Sequence, residues 1–265
     1  MKNSNAQASS THLGEVVNTA DGSLTLCHPE HGECYHSEAG AMAEARLLYV
    51  VSSGLAALWE RGAATISVLD VGLGLGLNAI ATLSAWHGAS GPGPLTINSL
   101  EINSDLVVAL ASGVAPWQAN WPPHQIDFCL SLRPDGPGHY CANITHPNNK
   151  ASATWRIIVG NAATAALLPA PEAKGYSHIW QDPFSPEKNP PLWSDVWFGR
   201  MRDCAAPGCV LMTYSVAGPV RRALAAGGWQ WQKIPALLPA KREWLRATPI
   251  PIPPPTHTTP ISALS

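Results

Sequence analysis

The sequence predicts an α/β fold with a mostly parallel, twisted, Rossmann-like sheet and helices on both faces. Three observations predict it. Residues 65–78, TISVLDVGLGLGLN, run from a β-branched, apolar strand ending in Asp70 through Gly72, Gly74 and Gly76 into an Ala-rich helical stretch. Further strand-like segments at 95–100, 153–159, 176–181 and 208–214 are separated by helical or Gly/Pro-rich stretches. Several of these strands end in a polar residue (Glu101, Asn161, Asp182), and the carboxyl edge is where open α/β sheets bind ligands.

With 265 residues, 46% of them apolar, the chain can bury one sizeable core. The expected organisation is a disordered N-terminus (1–15), a single domain (16–247) and a Pro-rich disordered tail (248–265). No uncharged apolar run reaches about 18 residues, so no membrane span is expected. The polar start MKNSNAQASS has no h-region, so no secretory signal is expected, and the cysteine pattern is expected of a cytoplasmic protein. Six cysteines without a C-x-x-C pair are expected to be free thiols. His28 and His31 lie near Cys27 and Cys34, but their spacing matches no common zinc site, so they read as loop residues and no metal is expected. Net charge is −2 and unevenly spread. Residues 1–70 carry three Lys/Arg against eight Asp/Glu, and 196–246 carry eight against two. The basic C-terminal third is either a phosphate-binding face or a solvated surface.

In chain order, residues 16–26 read as a small N-terminal β-hairpin turning at Asp21-Gly22, and 41–59 as one helix. Between them lies a polar loop with Tyr35. Glu44 in that helix is an exposed helix charge or faces a ligand. After the glycine turn the helix from Asn78 stops at GASGPGP. Glu101 stands where such folds bind ribose hydroxyls, or is a turn carboxylate. A helix is expected at 105–113, a loop at 117–123, a strand at 125–132, and an inserted loop at 134–150. Asn161 opens a short helix to Leu168, either as its cap or as a partner for an adenine amino group. Residues 182–193, DPFSPEKNPPLW, form a proline-stiffened loop that offers an acid, an aromatic and a serine at the sheet edge. A helix at 194–204, a helix at 220–226 and a strand pair at 229–234 and 243–247 complete the domain.

The glycine spacing is G-x-G-x-G, not the G-x-G-x-x-G of dinucleotide sites, and Asp70 beside it disfavours a pyrophosphate. No Walker sequence is present. A ligand with nucleoside and amino-acid ends, S-adenosylmethionine, fits better. A nicotinamide-dependent oxidoreductase, a small-molecule amine N-methyltransferase and an aminopropyltransferase-like enzyme remain alternatives.

From about residue 18 to 247 the chain resembles the methyltransferase domains of the tRNA wobble-uridine modification enzyme MnmC. The segments that carry the likeness are TADGSLTL, YHSEAGAMAEA, LDVGLGLGLN, SLEINSD, GNAA, QDPFSPEKNPPLW, GPVRRALAAGGW and KREWL. The resemblance implies a class I methyltransferase fold and methylation of the amine of 5-aminomethyl(-2-thio)uridine at the first anticodon position. In the fused enzyme a separate flavin domain makes that amine, so only the methyl transfer is expected here. Pro183, Asn161 and the 134–150 segment depart from the family pattern. The cofactor is expected over Gly72, Gly74 and Gly76, with Asp70, Asn78 and Asp182 beside it, its ribose on Glu101 and its adenine near Asn161. Tyr35 and Glu44 close over the methionine end. Asp182 orients the substrate amine, while Phe184, with Trp180 or Trp193, stacks on the uridine; the alternative is that these aromatics are core, which a position inside a strand favours for Trp180. Arg221, Arg222, Lys241 and Arg242 contact anticodon-stem phosphates.

Overall fold

A computed structural model of the chain describes residues 10–62, 65–167, 174–239 and 241–251. The strands are β1 (Ser10–Thr11), β2 (Gly14–Asn18), β3 (Leu24–Cys27), β4 (Ile66–Val71), β5 (Leu95–Glu101), β6 (Arg133–Pro134), β7 (His139–Thr145), β8 (Ser152–Val159), β9 (Tyr176–Gln181), β10 (Ala205–Thr213), β11 (Trp229–Pro235) and β12 (Glu243–Pro249). The α-helices are α1 (Ala41–Glu44), α2 (Leu55–Glu60), α3 (Leu77–Gly88), α4 (Ser104–Ser112), α5 (Pro123–Leu130), α6 (Asp195–Asp203) and α7 (Gly218–Ala226).

β1, β2 and β3 form a small antiparallel sheet, and the other nine form one sheet in the order β11-β12-β10-β9-β4-β5-β8-β7-β6. Its centre, β10-β9-β4-β5-β8, is parallel; both edges are antiparallel. The chain steps from β4 outward to β5 and β8, then returns to place β9 on the other side of β4. Winding reverses between β4 and β9, so their carboxyl ends flank a crevice. Strand alternation divides the core into two layers. Val68, Trp180 and Met212 face one side of the sheet; Leu69, Ile179 and Leu211 face the other. Each such buried side chain stabilises the fold by about 1.5–3 kcal/mol. Among the described residues, no helix is long and apolar enough to cross a membrane.

Several elements differ from the sequence expectation. Residues 125–132, expected as a strand, lie almost wholly in helix α5, where proline at the helix start suits the missing N–H. Gln125, Phe128 and Cys129 are its buried residues, an i, i+3, i+4 pattern that alternation masks over so short a run. About half of the 134–150 segment is sheet: β7 pairs with β8 from His139–Ile158 to Thr145–Ser152, extending the sheet. The single helix expected at 41–59 is α1, a π-helix at Ala45–Val51, and α2 after Gly54, whose φ of 87° breaks the run. A short 3-10 helix, Pro116–Gln118, precedes α5 inside the expected loop. After Gly160 there is a turn at 162–164 and no helix as far as Leu167; Leu168 itself lies outside the described residues. Strand structure starts at Ser10, inside the stretch expected to be disordered, and β12 reaches Pro249, two residues into the expected tail. Residues 1–9 and 252–265, the rest of those two stretches, lie outside the described residues.

Candidate functional site

The crevice between β4 and β9 opens into a cleft of about 830 Å³, the size of a small-ligand site. One half is built by the glycine turn and the ends of β5 and β8. Gly72 and Gly74, both with positive φ, line it. The missing Cβ atoms make room for protein rather than for a ligand. A Cβ on Gly72 would lie 2.8 Å from the Asp182 carbonyl oxygen, and one on Gly74 3.0 Å from the Tyr35 ring. Gly76 is off the wall and packs against Leu110.

Glu101, at the end of β5, is nearly buried and accepts N–H bonds from Gly74 (2.7 Å) and Asn103 (2.8 Å). Burial raises its carboxyl above the usual range, and those bonds oppose the rise. Its oxygens keep further lone pairs, enough to accept ligand hydroxyls. Asn161 also lines the cleft; its side-chain oxygen accepts from the Ala163 N–H and so holds the turn.

Asp182 is the first residue after β9. Its backbone N–H donates to Val71 O (3.0 Å), and its carboxylate accepts from the Asn78 side-chain amide (2.7 Å). Burial pushes its carboxyl up to about 8; the bonds from Asn78 and Tyr49 lower it, while Glu44 and Asp70 raise it further. Glu44 is nearly buried on the cleft wall, and its Oε1 has no hydrogen-bond partner. The nearest cation is Lys241, with Nζ 3.5 Å from that oxygen, an ion-pair distance without hydrogen-bond geometry. Phe184 lines the cleft two residues beyond Asp182, with its ring 4.9 Å from that of Tyr35. Tyr35 also packs over Gly74, so it touches both the glycine turn and the loop after β9.

Three expectations are corrected. Asp70 is fully buried, off the cleft wall, and accepts from the Ser99 hydroxyl (2.8 Å); strand alternation turns it into the core layer behind the crevice. Trp193 is only 5% exposed and donates its indole N–H to Phe184 O (2.8 Å), so it braces Phe184 from behind instead of meeting a base. Trp180, as its place inside a strand favours, is core and bonded to the Thr82 hydroxyl. Cys27 and Cys34 are joined in a disulfide across an isolated β-bridge, not free.

The expected phosphate contacts divide. Arg222 and Arg242 are exposed. Arg221 packs its guanidinium over Trp231, 5.2 Å from the ring centroid, and Lys241 lines the cleft beside Tyr214. Asn78 is buried and reaches the site only through Asp182. Sequence reasoning misses Tyr214, whose hydroxyl donates to Pro183 O (3.0 Å), and Glu33, which binds Ser185. Glu33 lies in a loop and Tyr214 is neither an acid nor an amide, so neither carries the signal, an acid or amide at a strand end, that singles out Glu101, Asn161 and Asp182.

The cleft lining carries five carboxylates (Glu33, Glu38, Glu44, Glu101, Asp182) against two lysines, Lys188 and Lys241. An anionic pyrophosphate is disfavoured there, and a cationic ligand is favoured. S-Adenosylmethionine fits this donor set: hydroxyl acceptors at Glu101, and at Glu44 a buried carboxylate oxygen that has Lys241 at ion-pair distance but no hydrogen bond, for an ammonium. Among the described residues, no group of three or more His, Cys, Asp or Glu is arranged to hold a metal.

Comparison with known proteins agrees with this geometry. Residues 138–249 match a family described as S-adenosyl-L-methionine-dependent methyltransferase. The tRNA 5-methylaminomethyl-2-thiouridine biosynthesis bifunctional protein MnmC of Aromatoleum aromaticum is 32% identical over 232 residues, covering 86% of this chain and 34% of that protein. The Azoarcus protein of the same name is also 32% identical over 232 residues, covering 82% of this chain and 33% of that one. The chain thus spans about a third of the length of the curated relatives it matches. The crystal structure of MnmC2 from Aquifex aeolicus superposes with a TM-score of 0.70 at 25% identity, covering 94% of this chain and 74% of that one. On fold and relatives together, the chain has the class I S-adenosylmethionine-dependent methyltransferase fold and is similar to the MnmC proteins over about a third of their length.

Proposed function

We propose that this chain methylates the exocyclic amine of 5-aminomethyl(-2-thio)uridine at the tRNA wobble position, in the cytoplasm. The observation that carries this reading is the pair Asp182 and Glu44: two carboxylates on the wall of one cleft, beside an aromatic end formed by Phe184 and Tyr35. That combination suits an amine attached to a flat ring. The names of the MnmC relatives supply the tRNA nucleoside.

When bound, S-adenosylmethionine supplies an electrophilic methyl group. Glu101 and the Gly160–Ala163 turn would hold its nucleoside end, and Glu44 with Tyr35 its amino-acid end. Asp182 handles the substrate amine. An ordinary aliphatic ammonium has a pKa near 10, and only its neutral form has a lone pair. A carboxyl held at about 8 is much better matched to take that proton than one near 4. Asp182 therefore both orients the amine and accepts its proton. Phe184 offers its face to the pyrimidine, a contact worth about 1–3 kcal/mol in stacked-base sites. Arg222 and Arg242, exposed at the surface, meet backbone phosphates.

The test is methyl incorporation by the purified chain into tRNA bearing 5-aminomethyluridine, read by nucleoside mass spectrometry, with tRNA lacking the aminomethyl group as control. Methylation of free amines but of neither tRNA would replace this reading with a small-molecule N-methyltransferase.

A further inference from the structure

We propose that the segment Cys27–Cys34 is the positioning element for Phe184, with His28 and His31 as specificity-determining residues that set the ring against the substrate pyrimidine. The inference rests on the tRNA-base reading above.

Several independent contacts converge on Phe184. The segment is closed on itself: the disulfide and β-bridge join its ends, and inside it His28 N–H donates to Glu33 O (2.8 Å) and Gly32 N–H to His28 O (3.1 Å). The His28 ring is fixed because its Nδ1 accepts from the backbone N–H groups of Glu30 (3.2 Å) and His31 (3.3 Å). The His31 ring stacks on it with centroids 4.2 Å apart. Both imidazoles then meet the Phe184 ring edge to face, at 5.6 Å for His28 and 5.0 Å for His31. Finally, the Glu33 carboxylate accepts from both the N–H (3.1 Å) and the hydroxyl (2.5 Å) of Ser185, so the segment is clamped to the residue beside Phe184.

With Trp193 holding the Phe184 carbonyl from the other side, both backbone and ring are restrained before any substrate arrives. Phe184 nevertheless stays only half-buried and lines the cleft, as do His28 and His31. A ring restrained on one side and open on the other is what a flat base needs for stacking. Ordering a mobile side chain on binding costs about 0.5–1.5 kcal/mol, and this arrangement removes that cost in advance.

The test compares the wild type with the double variant His28→Ala/His31→Ala and with His28→Phe/His31→Phe, which keeps two rings. The chain has three phenylalanines, so 4-fluorophenylalanine labelling gives three fluorine resonances, and Phe184→Leu assigns the one in the cleft. The alanine pair is expected to move the Phe184 resonance in the free protein and to raise KM for tRNA about 3- to 10-fold. S-Adenosylmethionine affinity should stay within about twofold of wild type, and the phenylalanine pair should bring KM most of the way back. Glu33→Gln, which loosens the clamp but keeps both imidazoles, should raise KM in the same direction and serves if the histidine variants fold poorly. An unmoved Phe184 resonance, an unchanged KM, or cofactor affinity reduced in parallel would overturn the inference. If the wild type fails to methylate tRNA, the proposed function fails, and the fluorine spectrum of the free protein still decides whether the histidines position Phe184.

Discussion

The side-chain amide of Asn78 donates to the carboxylate of Asp182 over 2.7 Å, joining the first turn of α3 to the loop after β9. The bond favours the ionised carboxylate, against the burial that holds this group at about 8. In Asn78→Ala the carboxyl rises further, because a hydrogen bond to a charged group is removed. That bond is worth about 1.5–3 kcal/mol, or about one to two pH units. The kcat/KM of the wild type should climb with pH through about 8, and that limb should move to higher pH in Asn78→Ala. Asp182→Asn should remove the limb and lower kcat by about 100-fold or more while S-adenosylmethionine still binds. Steady-state pH profiles and calorimetry check both outcomes.

Glu101 faces the cleft while its two oxygens hold Gly74 and Asn103 in place. Glu101→Gln removes the charge and one acceptor. S-Adenosylmethionine affinity measured by calorimetry should fall about 10- to 100-fold, as for removal of a charged hydrogen bond. The thermal midpoint should fall much less, because the Gln oxygen can still accept one of the two backbone bonds.

Asp70 is buried and its carboxyl is held at about 7 instead of 3.8, chiefly by burial. A carboxyl raised on folding favours the native state below its unfolded pKa, and that advantage is lost as pH rises from about 4 through about 7. Asp70→Asn has no such charge to bury. Relative to wild type it should be more stable at pH 8, by at most about 4 kcal/mol, with the difference shrinking towards pH 5. Chemical denaturation at the two pH values measures it.

The four expected phosphate-binding side chains should separate on mutation. Arg222→Ala with Arg242→Ala should weaken tRNA binding, with little change in stability. The slope of log K against log salt should become shallower by about 0.7–0.9 for each phosphate no longer neutralised. Arg221→Ala should cost about 0.5–1 kcal/mol of stability through its packing on Trp231. Lys241→Ala acts inside the cleft, on Glu44, and should leave the salt slope near its wild-type value.

What is legible in the sequence is what depends on local pattern. The central strands are legible because apolar runs bounded by Gly and Pro need no tertiary information. Glu101, Asn161 and Asp182 are legible because strand ends are recognisable. Asp70 is misplaced by the same logic, because a strand end does not say which sheet face a side chain takes. Helix α5 reads as a strand because eight residues carry too few turns to distinguish a period of 3.6 from one of 2. The Glu33–Ser185 clamp spans 152 residues, and the Trp193 brace depends on a loop's return path; no spacing rule reports either. The Cys27–Cys34 bond escapes an argument from compartment, which says nothing about how close β3 brings its end to Cys34.

Gly72 leaves only 2.8 Å between an added Cβ and the carbonyl oxygen of Asp182. The backbone of the glycine turn thus rests on the backbone of the loop after β9. A side chain at Gly72 cannot be accommodated unless the loop after β9 moves as well, so the two segments behave mechanically as a single part. A descendant of this enzyme could acquire a new acceptor by changing Phe184 or the Cys27–Cys34 segment, but hardly by rebuilding the junction between Gly72 and Asp182.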